Sequence, residues 1–89
     1  MKPEDLQKAP KMFCENVMTA FTPEYFVMGL SSGNQANIYS FSPAHMKRLV
    51  QKLTHDLAEF EQKHGEITAT WDPNIISPVQ QINPPSKDS

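Results

Sequence analysis

The chain has 89 residues, a formal charge of −2 and a single cysteine, Cys14. A domain of this size buries only about 60% of its unfolded surface, so it is one domain with a marginal core. One cysteine excludes an intrachain disulfide, three scattered histidines lack zinc-site spacing, and the acidic balance makes nucleic acid an unlikely partner.

Residues 1–11 carry Pro3, Pro10 and five charges and read as a flexible leader. They lack the apolar h-region of a signal peptide. No apolar run approaches the roughly 20 residues of a membrane span, so no membrane partner is expected. With an unpaired thiol and no export signal, the expected compartment is a reducing cytoplasm.

Three β-like runs follow. Glu15–Thr22 contains Val17, Met18, Thr19, Ala20 and Phe21, and Thr22-Pro23-Glu24 then supplies a turn, because proline pre-sets φ for a tight reversal. Tyr25–Ser31 is rich in aromatic and β-branched residues. Ser32-Gly33-Asn34 is a turn on glycine and asparagine, which tolerate positive φ cheaply. Ala36–Phe41 is the third run. Phe26, Met28 and Leu30 fall on one face and Tyr25 and Val27 on the other; Ile38 likewise opposes Tyr39 and Phe41. A sheet apolar on both faces must cover both, and one helix can cover only one.

That helix begins at Ser42, a good N-cap, with Pro43 at the first helical position. Met46, Leu49, Val50, Leu53, Leu57 and Phe60 recur at three- and four-residue steps and form a core-facing stripe roughly 100° wide. Lys52–Asp56 and Glu59–Lys63 are spaced to pair on its outer side, and Gly65 suits a helix stop. Glu66–Trp71 reads as a short strand or an arm. Residues 72–89 hold four prolines in eighteen positions and read as an extended or disordered tail. The expected fold is α+β: a three-stranded antiparallel meander and one long amphipathic helix within 12–71, followed by that tail.

Three places carry a family resemblance: Asn16; the segment Thr22, Pro23, Glu24, Tyr25, Phe26, Val27; and the helix SPAHMKRLVQKL…FEQKHGEI. The last is similar to an S-P-x-H-x-K-R-L-L…Y-E-x-x-F-G-E-I signature. Glu15–Ile67 thus resembles a family of short bacterial proteins described only as a domain of unknown function. His64 departs from the family's aromatic before Gly65, and the Pro-rich tail lies outside its pattern. The resemblance implies a fold and a bacterial or phage origin, and it carries no activity or catalytic residues.

Few side chains suggest chemistry. His45, Lys47, Arg48 and Lys52 are candidates for anion contact near a helix N-terminus. Lys47 and Arg48 point about 100° apart, so a capping histidine and solvated bases are the plainer reading. His64, on the apolar stripe, reads as a helix-end residue beside the negative pole rather than a pH sensor. Cys14 reads as a semi-buried thiol, since no base is placed to activate it. Asp56 and Glu59 read as lysine partners on a solvated face. The surplus of apolar sheet surface, with Phe21, Phe26, Met28, Tyr39 and Phe41, is either core or an adaptable partner-binding surface. Trp71 either anchors in a partner's groove or folds back onto its own domain. No acid, base and nucleophile converge, and no cofactor or metal motif is present, so an enzyme is not expected.

The expected function is a non-enzymatic interaction or assembly module that homo-oligomerises through its sheet, a dimer first, with a protein partner possible at the tail. A small dimeric nucleic-acid-associated regulator is one alternative, its bases gathered by two-fold symmetry. A phage-encoded inhibitor of one host protein is another.

Overall fold

The structure is a computed structural model that describes residues 1–74 and 79–81, with the backbone alone for Gln80 and Gln81. The expectation of a Pro-rich tail falls largely on 75–78 and 82–89, outside the described residues.

Within the leader, Pro3–Lys8 forms a short helix, α1, whose start is closed by the Lys2 N–H donating to Asp5 Oδ2 at 2.9 Å. None of its residues is buried. Three strands follow: β1 (Asn16–Phe21), β2 (Phe26–Ser32) and β3 (Gln35–Phe41). They form the expected antiparallel meander, each boundary within about one residue of its sequence reading.

Local chemistry explains both turns. After β1, the Thr22 hydroxyl oxygen accepts from the N–H groups of Glu24 (3.1 Å) and Tyr25 (3.2 Å), while the Thr22 N–H donates to the Tyr25 carbonyl at 2.9 Å. Pro23 sits inside this loop, where its missing donor costs nothing. Between β2 and β3 the register leaves a two-residue loop closed by Ser32 and Gln35. Gly33 adopts φ 60° and no other residue near it has positive φ. That is the pattern of a type II′ hairpin, with glycine at the first central position. The Glu15 carboxylate accepts from the Gly33 N–H at 3.2 Å and ties the turn to the start of β1.

Helix α2 (Pro43–His64) has the expected ends. The Ser42 hydroxyl accepts from the His45 N–H at 3.1 Å, and Gly65 terminates the helix at φ 99°, ψ 159°, a region open essentially to glycine. Both intrahelical ion pairs form, Lys52–Asp56 at 2.6 Å and Glu59–Lys63 at 3.3 Å. Residues 65–72 carry no regular structure, so Glu66–Trp71 is an arm rather than a strand.

Val79–Gln81 adds β4, which pairs in parallel with β1 and gives the strand order β3-β2-β1-β4. Parallel pairing requires a long connection between the two strands, and the whole of α2 and the following arm supply it.

The packing departs from a helix laid on a sheet. α2 meets the sheet principally at β3 and at its own first turn. There the Phe41 and His45 rings sit edge to face, 5.3 Å apart. Met46, 8% exposed, is the single buried apolar residue among those described. Beyond it the stripe read as core-facing is open: Val50, Leu53, Leu57 and Phe60 are each about half exposed. The physical reason is the short link from β3. With Ser42 as N-cap directly after Phe41, α2 starts at the end of β3, and its contacts with the sheet lie mainly at that strand.

Candidate interaction surface

The ladder register sorts the sheet's side chains. Phe21 lies opposite Phe26, which lies opposite Phe41; Thr19 lies opposite Met28, which lies opposite Tyr39; Val17, Leu30 and Asn37 form the next row. Residues directly opposite share a face, so Phe21, Phe26, Met28, Tyr39 and Phe41 stand together on one side. The Phe21 and Phe26 rings are 5.5 Å apart and tilted by 40°, a favourable aromatic pair, yet Phe21 remains 72% exposed. α2 shelters the Phe41 corner, where His45 lies against that ring, and leaves Phe21 and Tyr39 exposed.

The opposite face carries Met18, Val27, Gly29 and Ile38, which with Asn16, Ser31 and Ala36 line a shallow apolar groove of about 220 Å³. Gly29 forms its floor because it has no side chain to fill it. Both faces of the sheet are therefore apolar and open, and α2 presents a third open apolar strip.

Trp71 belongs to its own domain. Its indole Nε1–H donates to the Val79 carbonyl oxygen at 2.9 Å, and Val79 pairs with Val17 in the β1–β4 ladder. Of the two readings open for this residue, folding back is the one observed, with half of its surface still exposed.

The four candidates for anion contact do not converge. His45 is occupied at both ends, its N–H by Ser42 and its ring by Phe41. Lys52 is held by Asp56, whose hydrogen bond and charge together raise the lysine above its ordinary range. Lys47 and Arg48 make no hydrogen bond or ion pair among the described residues, and they diverge around the helix. The helix N-terminus has little to offer an anion. Pro43 has no N–H, the N–H of His45 is capped by the Ser42 hydroxyl and that of Met46 by the Ser42 carbonyl, which leaves Ala44.

The His64 ring lies against Phe60, with centroids 4.9 Å apart and planes tilted by 45°, and so ends the apolar strip as an aromatic. Cys14 is exposed, not semi-buried, with its thiol against the Asn16 carbonyl at 3.4 Å. The leading segment 9–15 adds no strand to cover it. Asp56 and Glu59 hold lysines, as their spacing suggests. No group of three or more His, Cys, Asp or Glu side chains that could hold a metal occurs among the described residues, and no helix among them is long and apolar enough to cross a membrane.

The chain matches no family model, no curated protein and no solved structure.

What sequence reasoning missed is the helix strip as a surface in its own right. Its spacing was legible, but amphipathicity is the same for a helix facing its own core and one facing another molecule.

Proposed function

We propose that this protein is a non-enzymatic interaction module that assembles with copies of itself, its sheet supplying contact surface. One observation carries the reading: Phe21, Phe26, Met28, Tyr39 and Phe41 stand on one sheet face, and the chain's own helix shelters only the Phe41 corner. Aromatic residues and methionine are the types enriched where proteins meet. A lone protomer with one buried apolar residue among those described has little to hold its fold, and association buries what folding leaves open. The exposed Cys14 thiol fits a reducing cytoplasm, where it stays unpaired. Ser42, Pro43 and Gly65, which also carry the resemblance to short bacterial proteins of unknown function, bound α2.

The test is mass in solution by light scattering across a concentration series, with Phe21→Asp and Tyr39→Asp beside the wild type. A dimer or larger species that these substitutions weaken supports the reading. A wild type that remains monomeric at micromolar concentration overturns it.

A further inference from the structure

The open strip of α2 has a stricter pattern than amphipathicity requires. Met46, Val50, Leu53, Leu57, Phe60 and His64 follow one another at intervals of 4, 3, 4, 3 and 4 residues. That is the alternation of a and d positions in a heptad repeat, the signature of a helix that packs against another helix. Met46 is already buried within the protomer. The remaining members from Val50 to Phe60 are 54%, 49%, 54% and 50% exposed. They form an uninterrupted seam that stays about half exposed among the described residues.

We infer that the occupant of this seam is a second copy of α2, packed antiparallel about a two-fold axis near His55. The seam is self-complementary about that point. Val50 meets the partner's Phe60, Leu53 meets the partner's Leu57, and the symmetry repeats both layers, matching a small side chain to a large one at each end. The flanking charges agree. On one flank Lys47 meets the partner's Glu61, twice by symmetry, and Thr54 meets the partner's Thr54. On the other flank Leu49 meets the stem of the partner's Lys63. The two Asp56 side chains approach each other at the axis, each already bound to Lys52 at 2.6 Å, so two ion pairs meet rather than two bare carboxylates.

A parallel, in-register pair is worse. It sets Asp56 against the partner's Glu61 on both sides, a like-charge contact of the kind that selects against an arrangement. The antiparallel pair also brings the end of each α2 beside the partner's Phe41 corner, so the helical seam and the aromatic sheet face join into one continuous interface. The inference rests on the self-assembly reading and names the geometry of the partner within it.

The experiment is sedimentation equilibrium on the full chain as wild type, Lys47→Glu, Glu61→Lys and the double variant, with helicity checked by circular dichroism. Lys47 and Glu61 are about 21 Å apart along one helix, so they can compensate only between copies. Lys47→Glu is expected to weaken the dimer roughly 10- to 30-fold by turning two attractive rim contacts repulsive. The double variant is expected to return to within about 3-fold of wild type, taking that rim scale for what remains. Glu61→Lys also removes the acceptor of the Ile67 N–H, so the decisive comparison is whether adding Lys47→Glu tightens it. A dimer indifferent to Lys47→Glu, or a double variant weaker than both singles, overturns the antiparallel seam and leaves self-assembly standing. A wild type that never dimerises overturns both.

Discussion

The indole Nε1–H of Trp71 donates to the carbonyl oxygen of Val79 across 2.9 Å, and Val79 in turn lies opposite Val17 on the outer edge of β1. An arm that leaves the helix at Gly65 is thereby brought back to the first strand of the sheet. The hydrogen bond and the β4 ladder depend on each other, since each fixes the position of the other's backbone.

A chain ending after Trp71 therefore loses both. With about 1 kcal/mol for each hydrogen bond lost and at least two lost, the melting temperature is expected to fall by roughly 8–16 °C, as about 1 kcal/mol shifts a domain this small by 4–8 °C. The emission of the single tryptophan should shift to the red as its indole meets water. Unchanged melting and emission would show that β4 contributes nothing to stability.

Phe21→Ala removes one ring of the pair with Phe26 from a position already 72% exposed. Its cost to the fold is expected to be small, about 0.5–1 kcal/mol by urea titration. If the sheet face is an interface, the loss in association free energy exceeds that value. Equal losses in folding and association would instead mark Phe21 as an ordinary strand residue.

The hydrogen bond from Lys52 to Asp56 raises the lysine's pKa from 10.5. A raised pKa in the folded state means that the stabilisation is fully present below the unfolded lysine's pKa and lost as pH rises through the folded one. Thermal melts of wild type and Asp56→Asn are therefore expected to keep a constant difference between pH 7 and 9. The two should converge at more alkaline pH. A difference that vanishes already near neutrality would assign the effect to another group.

Two glycines should respond with opposite sign. A Cβ on Gly29 would sit 3.8 Å from Ile38 Cγ1 and 3.9 Å from the Met18 carbonyl oxygen, ordinary contacts in an open groove. Gly29→Ala is expected to stabilise by about 0.5–1 kcal/mol through the unfolded state. Gly65 holds φ 99°, where a side chain is strained, so Gly65→Ala should cost about 1–3 kcal/mol and fray the last turn of α2. Chemical denaturation of both variants checks the signs together.

Much of the sheet was legible because its information is local. Pro23 and Gly33 announce reversals, and alternation then assigns Phe26 and Met28 to one face and Val27 to the other without reference to anything distant. The anion candidates were not settled in this way. Whether His45 is free depends on the Phe41 ring arriving 5.3 Å away, and spacing along a helix does not report that. Cys14 was misread for the same reason: small apolar residues are usually covered, but nothing in its neighbourhood of the chain says whether a cover exists.

By itself the sequence determined the three antiparallel strands, their turns, and a helix running from the Ser42 cap to the Gly65 stop. Each of these depends on torsion preferences and hydrogen bonds spanning a few residues. Only the tertiary structure decided that β4 closes the β1 edge in parallel, that Trp71 turns inward, and that α2 leaves Val50, Leu53, Leu57 and Phe60 uncovered. Those outcomes depend on where the chain travels after each local element ends, and an apolar stripe states that a surface must be buried without stating against what.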